Sequence, residues 1–252
     1  MIRLSLKSIL FLLLATVLFA NNLQERFNAG NQFYQQGQYE QAVAEYQAIL
    51  DAGQESGALY FNLGNACYKL EQFGLARLYY ERASVLLKND EALTDNLELL
   101  KQSLVDKIPS SPQFILFEWR DKVLEFFSAR LLTWVTAIIF LGFLIVSALR
   151  RHSQRRGNFN RFRTTFVMVV VLFLVTIFIF GQKIYLLETE EFGVILAPSV
   201  TTLAEPKLSA TEVFVIHEGA KVSIERNAAE WLEIKLADGK TGWLQKRNLE
   251  KI

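Results

Sequence analysis

Residues 25–50 read ERFNAGNQFYQQGQYEQAVAEYQAIL, and residues 59–84 read LYFNLGNACYKLEQFGLARLYYERAS. A shift of 34 residues sets Phe27 on Phe61, Asn28 on Asn62, Gly30 on Gly64 and Asn31 on Asn65. It also sets Tyr34 on Tyr68, Tyr39 on Phe73, Ala42 on Ala76 and Tyr46 on Tyr80. Small residues recurring where two helices would cross, with aromatics beside them to fill gaps, predict two helical hairpins. Gly30/Gly64 and Ala42/Ala76 are the positions that allow helices A and B of each hairpin to approach closely. A third helix is expected over 90–108, with Leu93, Leu97, Leu100 and Leu104 on helical spacing. Glu98 stands there where a further repeat would need a small residue, so the helix reads as a terminal cap, stopped by Pro109 and Pro112.

A period of 34 residues with this pattern resembles the tetratricopeptide repeat (TPR). The resemblance implies an all-α repeat over 23–108 whose A helices line a concave groove for an extended peptide. By position, the groove residues would be Phe27, Asn31, Tyr34, Phe61, Asn65, Tyr68 and Lys69. The amides of Asn31 and Asn65 each offer a donor and an acceptor, so each would clamp one peptide unit of a bound main chain. Some family members grip a C-terminal carboxylate with a basic residue; Phe27 and Phe61 take its place here, which favours an apolar or aromatic ligand segment. The alternative is that these aromatics pack against a neighbouring helix of the same chain. Two repeats fall below the usual count for a stable solenoid, so the array is expected to lean on its cap or on a partner. Cys67, with no cationic cluster beside it, reads as a small buried hydrophobe.

Upstream, residues 1–20 carry Arg3 and Lys7, then an apolar run from Ile9 to Phe19 that ends at Ala20. That is the pattern of a signal peptide cut after Ala20, the alternative being an uncleaved anchor. No Cys follows, which excludes lipoprotein processing. Downstream, residues 109–130 form an amphipathic juxtamembrane segment. Leu116, Trp119, Val123, Phe126 and Phe127 lie towards one face, suited either to a membrane interface or to docking beneath the repeats.

Two long apolar stretches follow, 131–149 without a charge and 165–187 with only Lys183 near its end. Nineteen helical residues span roughly 28 Å, enough for a bilayer, so both are expected to be transmembrane helices. The loop between them, 150–164, holds Arg150, Arg151, Arg155, Arg156, Arg161 and Arg163 and no acid. Short Arg-rich loops stay in the cytoplasm, which would place both soluble parts in the periplasm of a bacterial inner membrane. Those parts are acidic: residues 21–107 sum to 7 − 12 = −5 and residues 188–252 to 8 − 11 = −3. A nucleic-acid role for the arginines is rejected because they sit between two spans.

Residues 188–252 change to period-two alternation. Strands are expected at 192–196, 212–216, 220–224, 231–236 and 242–244, with a tight turn at Ala237-Asp238-Gly239-Lys240. Gly219, Trp231, Asp238, Gly239, Gly242 and Trp243 occur in the order of a bacterial SH3-like barrel, which this segment resembles. Trp231 and Trp243 would form either an aromatic ligand surface or part of the core. His217 reads as a solvated turn residue.

The whole chain has 252 residues, 27 basic and 26 acidic side chains, 51% hydrophobic residues and one Cys. This composition excludes a disordered chain, a disulfide framework and a multi-thiolate metal site, and a net charge of +1 does not suit a nucleic-acid binder. His152 and His217 lie too far apart to suggest a metal pair. No nucleophile triad, phosphate loop or dinucleotide fingerprint is present, so no enzyme, metal or cofactor is expected. The fold class is therefore a multi-domain membrane protein: TPR helices, a two-helix transmembrane hairpin and a small all-β SH3-like barrel. That order of parts resembles the BatE-like proteins of the bacterial aerotolerance operon (Bat) family. The resemblance implies partners among membrane-anchored von Willebrand A-type proteins and, indirectly, a MoxR-type AAA+ ATPase, in a complex linked to envelope stress or oxygen tolerance. The alternative is a cell-wall protein that binds peptidoglycan through its SH3-like part.

Overall fold

The computed structural model describes residues 22–109, 120, 123–124, 126–155 and 162–252. The expected signal peptide lies outside these residues, as do most of the juxtamembrane segment and both Arg156 and Arg161. Five helices open the described chain: α1 (22–35), α2 (Tyr39–Asp51), α3 (Gly57–Lys69), α4 (Phe73–Leu86) and α5 (Glu91–Ser103). The Ser56 side chain caps α3 by accepting from Leu59 N, and Asp90 caps α5 by accepting from Leu93 N. The A-to-B turns of the two repeats close alike. Gln38 N donates to Phe33 O and Gln72 N to Cys67 O, around left-handed residues Gly37 (φ 76°) and Glu71 (φ 57°).

The helical core centres on Ala42, Tyr46, Leu59, Leu63, Ala66, Cys67, Ala76, Tyr80 and Ala83, with Leu93 and Leu100 from α5. Gly64 shows why the repeat needs its small residue. A Cβ there would stand 2.4 Å from Tyr80 Cδ1, and one at Gly30 would stand 2.5 Å from Tyr46 Cε1. The tyrosine ring of each B helix lies directly on the glycine of its A helix.

The cap helix ends at Ser103, short of the expected 108. Leu104 turns extended (φ −75°, ψ 145°) and is buried against Gly219, and Ile108 packs on the core of the C-terminal sheet. The apolar spacing that predicts a longer helix continues to Leu104. That side chain is instead packed on Gly219, with its own backbone extended.

The C-terminal part is one antiparallel sheet of seven strands. They are β1 (Glu191–Ile195), β2 (Ser199–Leu203), β3 (Glu212–His217), β4 (Lys221–Ala228), β5 (Trp231–Lys235), β6 (Thr241–Gln245) and β7 (Leu249–Lys251), in the order β3-β2-β6-β5-β4-β1-β7. Val200, Ile216, Val222, Ile234 and Leu244 form its core. Strands β2 and β7 were not expected. β2 (SVTTL) buries a threonine where the pattern asks for an apolar residue, and β7 is only three residues long. Thr202 Oγ1 bonds both the N–H and the C=O of Phe214, which satisfies the hydroxyl that burial would otherwise penalise.

The helices of residues 22–109 and the sheet of residues 191–252 pack as one compact unit, although about 80 residues separate them in sequence. On α4, Lys221 Nζ donates to Glu81 Oε2 at 2.8 Å and Arg77 pairs with Glu81 Oε1 at 2.7 Å. Arg82 reaches Glu250 at 3.1 Å and the Lys251 carbonyl at 2.6 Å, and Gly74 N donates to Glu218 at 3.3 Å. The two ends of the chain, expected as separate modules, therefore share an interface.

The second unit contains two apolar helices of 27 residues each, α6 (Ala129–Arg155) and α7 (Arg163–Thr189), about 40 Å long by helical rise. Both are long and apolar enough to cross a membrane. Phe140 and Phe143 of α6 meet Phe173 and Phe166 of α7 at ring separations of 5.5–6.0 Å, an antiparallel pairing. Trp134, Ile138, Met168 and Phe178 are about two-thirds exposed.

Candidate functional site

The repeats build a ladder of side-chain amides on their A helices. Asn31 Oδ1 accepts from Tyr46 Oη at 2.7 Å and from Asn62 Nδ2 at 2.9 Å. One repeat later, Asn65 Oδ1 accepts from Tyr80 Oη and from Asn96 Nδ2, both at 2.8 Å. Each rung joins three helices: the asparagine's own A helix, the B helix of the same repeat, and the next A helix. Burial pushes the Tyr46 hydroxyl up to about 12 and raises that of Tyr80, so both remain protonated donors at neutral pH.

This corrects the expected clamp. The carbonyl oxygens of Asn31 and Asn65 are each occupied by two donors, so neither amide can grip a peptide unit from both sides. What each retains is its Nδ2 group, which has no acceptor among the described residues. Asn31, Asn65 and Tyr34 line an open recess of about 140 Å³ together with Gln35, Tyr46 and Asn62. The Nδ2 groups of Asn31 and Asn65 suit ligand acceptors such as main-chain carbonyl oxygens, while Gln35 and Asn62 add side-chain amides that can also meet ligand donors.

The other expected groove residues divide. Phe27 packs 5.8 Å from the Tyr46 ring and Phe61 6.1 Å from the Tyr80 ring, both against the helical core. Tyr34 pairs with Tyr39 at 5.3 Å, Tyr68 with Phe73 at 5.8 Å, and the Tyr68 hydroxyl lies 3.4 Å from Ser103 Oγ. Lys69 is exposed at the end of α3. Asn62, Asn96, Tyr46 and Tyr80 were missed as site residues, though the 34-residue spacing of Asn28, Asn62 and Asn96 was available to find them. Cys67 is fully buried, and desolvation pushes its thiol up to about 12.

In the sheet, Trp243 is only 8% exposed. The Arg226 guanidinium lies 5.4 Å from its ring centre and is itself held by Glu233. Trp231 is half-buried, so the two indoles do not form an open aromatic pair. His217 is not a solvated turn residue: its N–H donates to Asp106 Oδ2 at 2.6 Å, and Nδ1 lies 3.0 Å from Asp106 Oδ1. Of the described arginines in the basic loop, Arg151, Arg155 and Arg163 are exposed, and Arg150 covers the Phe166 ring at 4.4 Å. Among the described residues no group of three or more His, Cys, Asp or Glu side chains could hold a metal ion.

The tetratricopeptide repeat family matches residues 27–91. Among solved structures, the chain is similar to "YrrB: a TPR protein with an unusual peptide-binding site", at 18% identity and a TM-score of 0.32 over 65% of this chain and 74% of that one. No curated protein matches. The segment matched by the family model, residues 27–91, is the one that folds as the paired helices α1–α4.

Proposed function

We propose that this protein is a membrane-anchored scaffold that takes an extended segment of a partner protein in its TPR groove. The observation that carries this reading is the pair of free Nδ2 groups on Asn31 and Asn65, one repeat apart beside the same recess. The repeats and the sheet fold as one unit, and two apolar helices between them, each long enough to cross a bilayer, suit a chain that leaves and returns on one side of a membrane. The Arg-rich connection supports a periplasmic unit and a loop at the cytoplasmic face, where its charge suits anionic lipid headgroups or a cytoplasmic partner. The sheet is assigned as an SH3-like module. The order of parts supports membership of a Bat-type complex, with von Willebrand A-type membrane proteins as direct partners and a MoxR-type ATPase as an indirect one.

Affinity purification of the full chain from its native membranes tests the groove. The Asn31→Ala/Asn65→Ala variant is expected to lose at least one protein that co-purifies with the wild type. Identical sets of co-purified proteins would remove the groove reading.

A further inference from the structure

Helix α5 occupies the place of a third A helix, since Asn96 follows Asn62 by one period, and among the described residues the chain directly after it turns extended at Leu104 instead of into a B helix. It is 13 residues long and buries only Leu93 and Leu100. A helix of that length is marginal unless tertiary contacts hold it. The structure supplies them from the distant end of the chain. Leu104 lies where a Cβ on Gly219 would be 2.3 Å from its Cδ2, and Gly219 has φ +78°. Only a residue without a side chain both makes that turn and leaves room for the leucine. Asp106 then bonds the His217 N–H at 2.6 Å, and Ile108 rests on the sheet core. From its middle turn α5 reaches the candidate groove, because Asn96 Nδ2 donates to Asn65 Oδ1.

We propose that the C-terminal sheet is the locking element of the groove: through the strap 104–108 it holds α5, and α5 through Asn96 sets the direction in which the Asn65 amide faces the ligand. The sheet thus performs the job that a third B helix would do in a longer array. Its consequence for binding rests on the groove reading, but the lock itself does not.

The test uses the full chain in lipid nanodiscs, in two measurements on wild type, Leu104→Ala and the milder Asp106→Asn. Hydrogen exchange should show the α5 amides exchanging about tenfold faster or more in Leu104→Ala, less so in Asp106→Asn, with α1 and α2 unchanged. Asparagine-selective 15N spectra, assigned with Asn65→Ala, should show the Asn65 side-chain pair moving in Leu104→Ala and in Asn96→Ala while the Asn31 pair stays. Exchange in α5 within twofold of wild type in both strap variants would overturn the lock. So would an Asn65 pair that does not move while α5 opens. Neither measurement involves a ligand, so a failed co-purification from Asn31→Ala/Asn65→Ala is a separate result.

Discussion

Replacing Glu81 by Ala removes the single carboxylate that Arg77 and Lys221 share at the helix–sheet interface. Glu81 is 8% exposed and Arg77 11%, while Lys221 keeps 35% of its side chain in solvent. Loss of one partner from a buried ion pair costs about 3–5 kcal/mol, chiefly because the remaining charge is left without compensation. Lys221 can turn partly towards water, which puts the expected cost near the lower bound, about 3 kcal/mol. For a unit of this size that corresponds to a fall in Tm of roughly 6–12 °C. Lys221→Ala should cost much less, roughly 1 kcal/mol or 2–4 °C, because Glu81 still has Arg77 and because a half-solvated ion pair is weak. Thermal unfolding of the detergent-solubilised full chain, followed by intrinsic fluorescence, gives both numbers. If Lys221→Ala is as damaging as Glu81→Ala, the charge-compensation argument is wrong. The acid limb is a second check. Burial by itself would raise the Glu81 pKa, but Lys221 and Arg77 outweigh it and hold the carboxyl below its ordinary value. The stabilisation is therefore complete above the unfolded-state value of roughly 4.3 and is lost as pH falls through the lower folded-state value. Glu81→Gln should flatten that loss.

Gly64→Ala places a Cβ 2.4 Å from Tyr80, forcing the ring off the glycine and its hydroxyl off Asn65; a loss of about 1–3 kcal/mol is expected in the same melt. A melt unchanged within error would show that the ring gives way freely. Cys67 should resist maleimide in the native chain and react at once in denaturant, since its thiol is buried and pushed up to about 12; rapid native labelling would contradict the packing. Glu71→Gly relieves a left-handed backbone at a position where the first repeat already has Gly37, and should raise stability by about 1 kcal/mol. A lower Tm for that variant would mean the Glu71 side chain makes a contact worth more than the strain.

The helical repeats were legible because their information is local and periodic. Gly30, Gly64, Tyr46 and Tyr80 recur at one offset, and a glycine facing an aromatic is a packing unit that sequence spacing displays directly. The two apolar helices were legible for the same kind of reason, as was the alternation in β4 and β5. The equivalence of Asn31 and Asn65 was readable too, but not the two donors that fill each carbonyl. Those donors come from Tyr46 and Asn62, and from Tyr80 and Asn96, which lie 15 and 31 residues further along.

Sequence by itself determined the repeat helices, the two apolar helices, five of the seven strands and which residues the repeat needs to be small. Tertiary structure alone decided where α5 stops, what His217 bonds to, and that the last 60 residues close the array begun by the first hundred. Those outcomes depend on contacts such as Leu104 with Gly219 and Glu81 with Lys221, more than 100 residues apart in the chain. A pairing at that distance leaves no period in the sequence, because its energy is realised only once two separately formed surfaces meet.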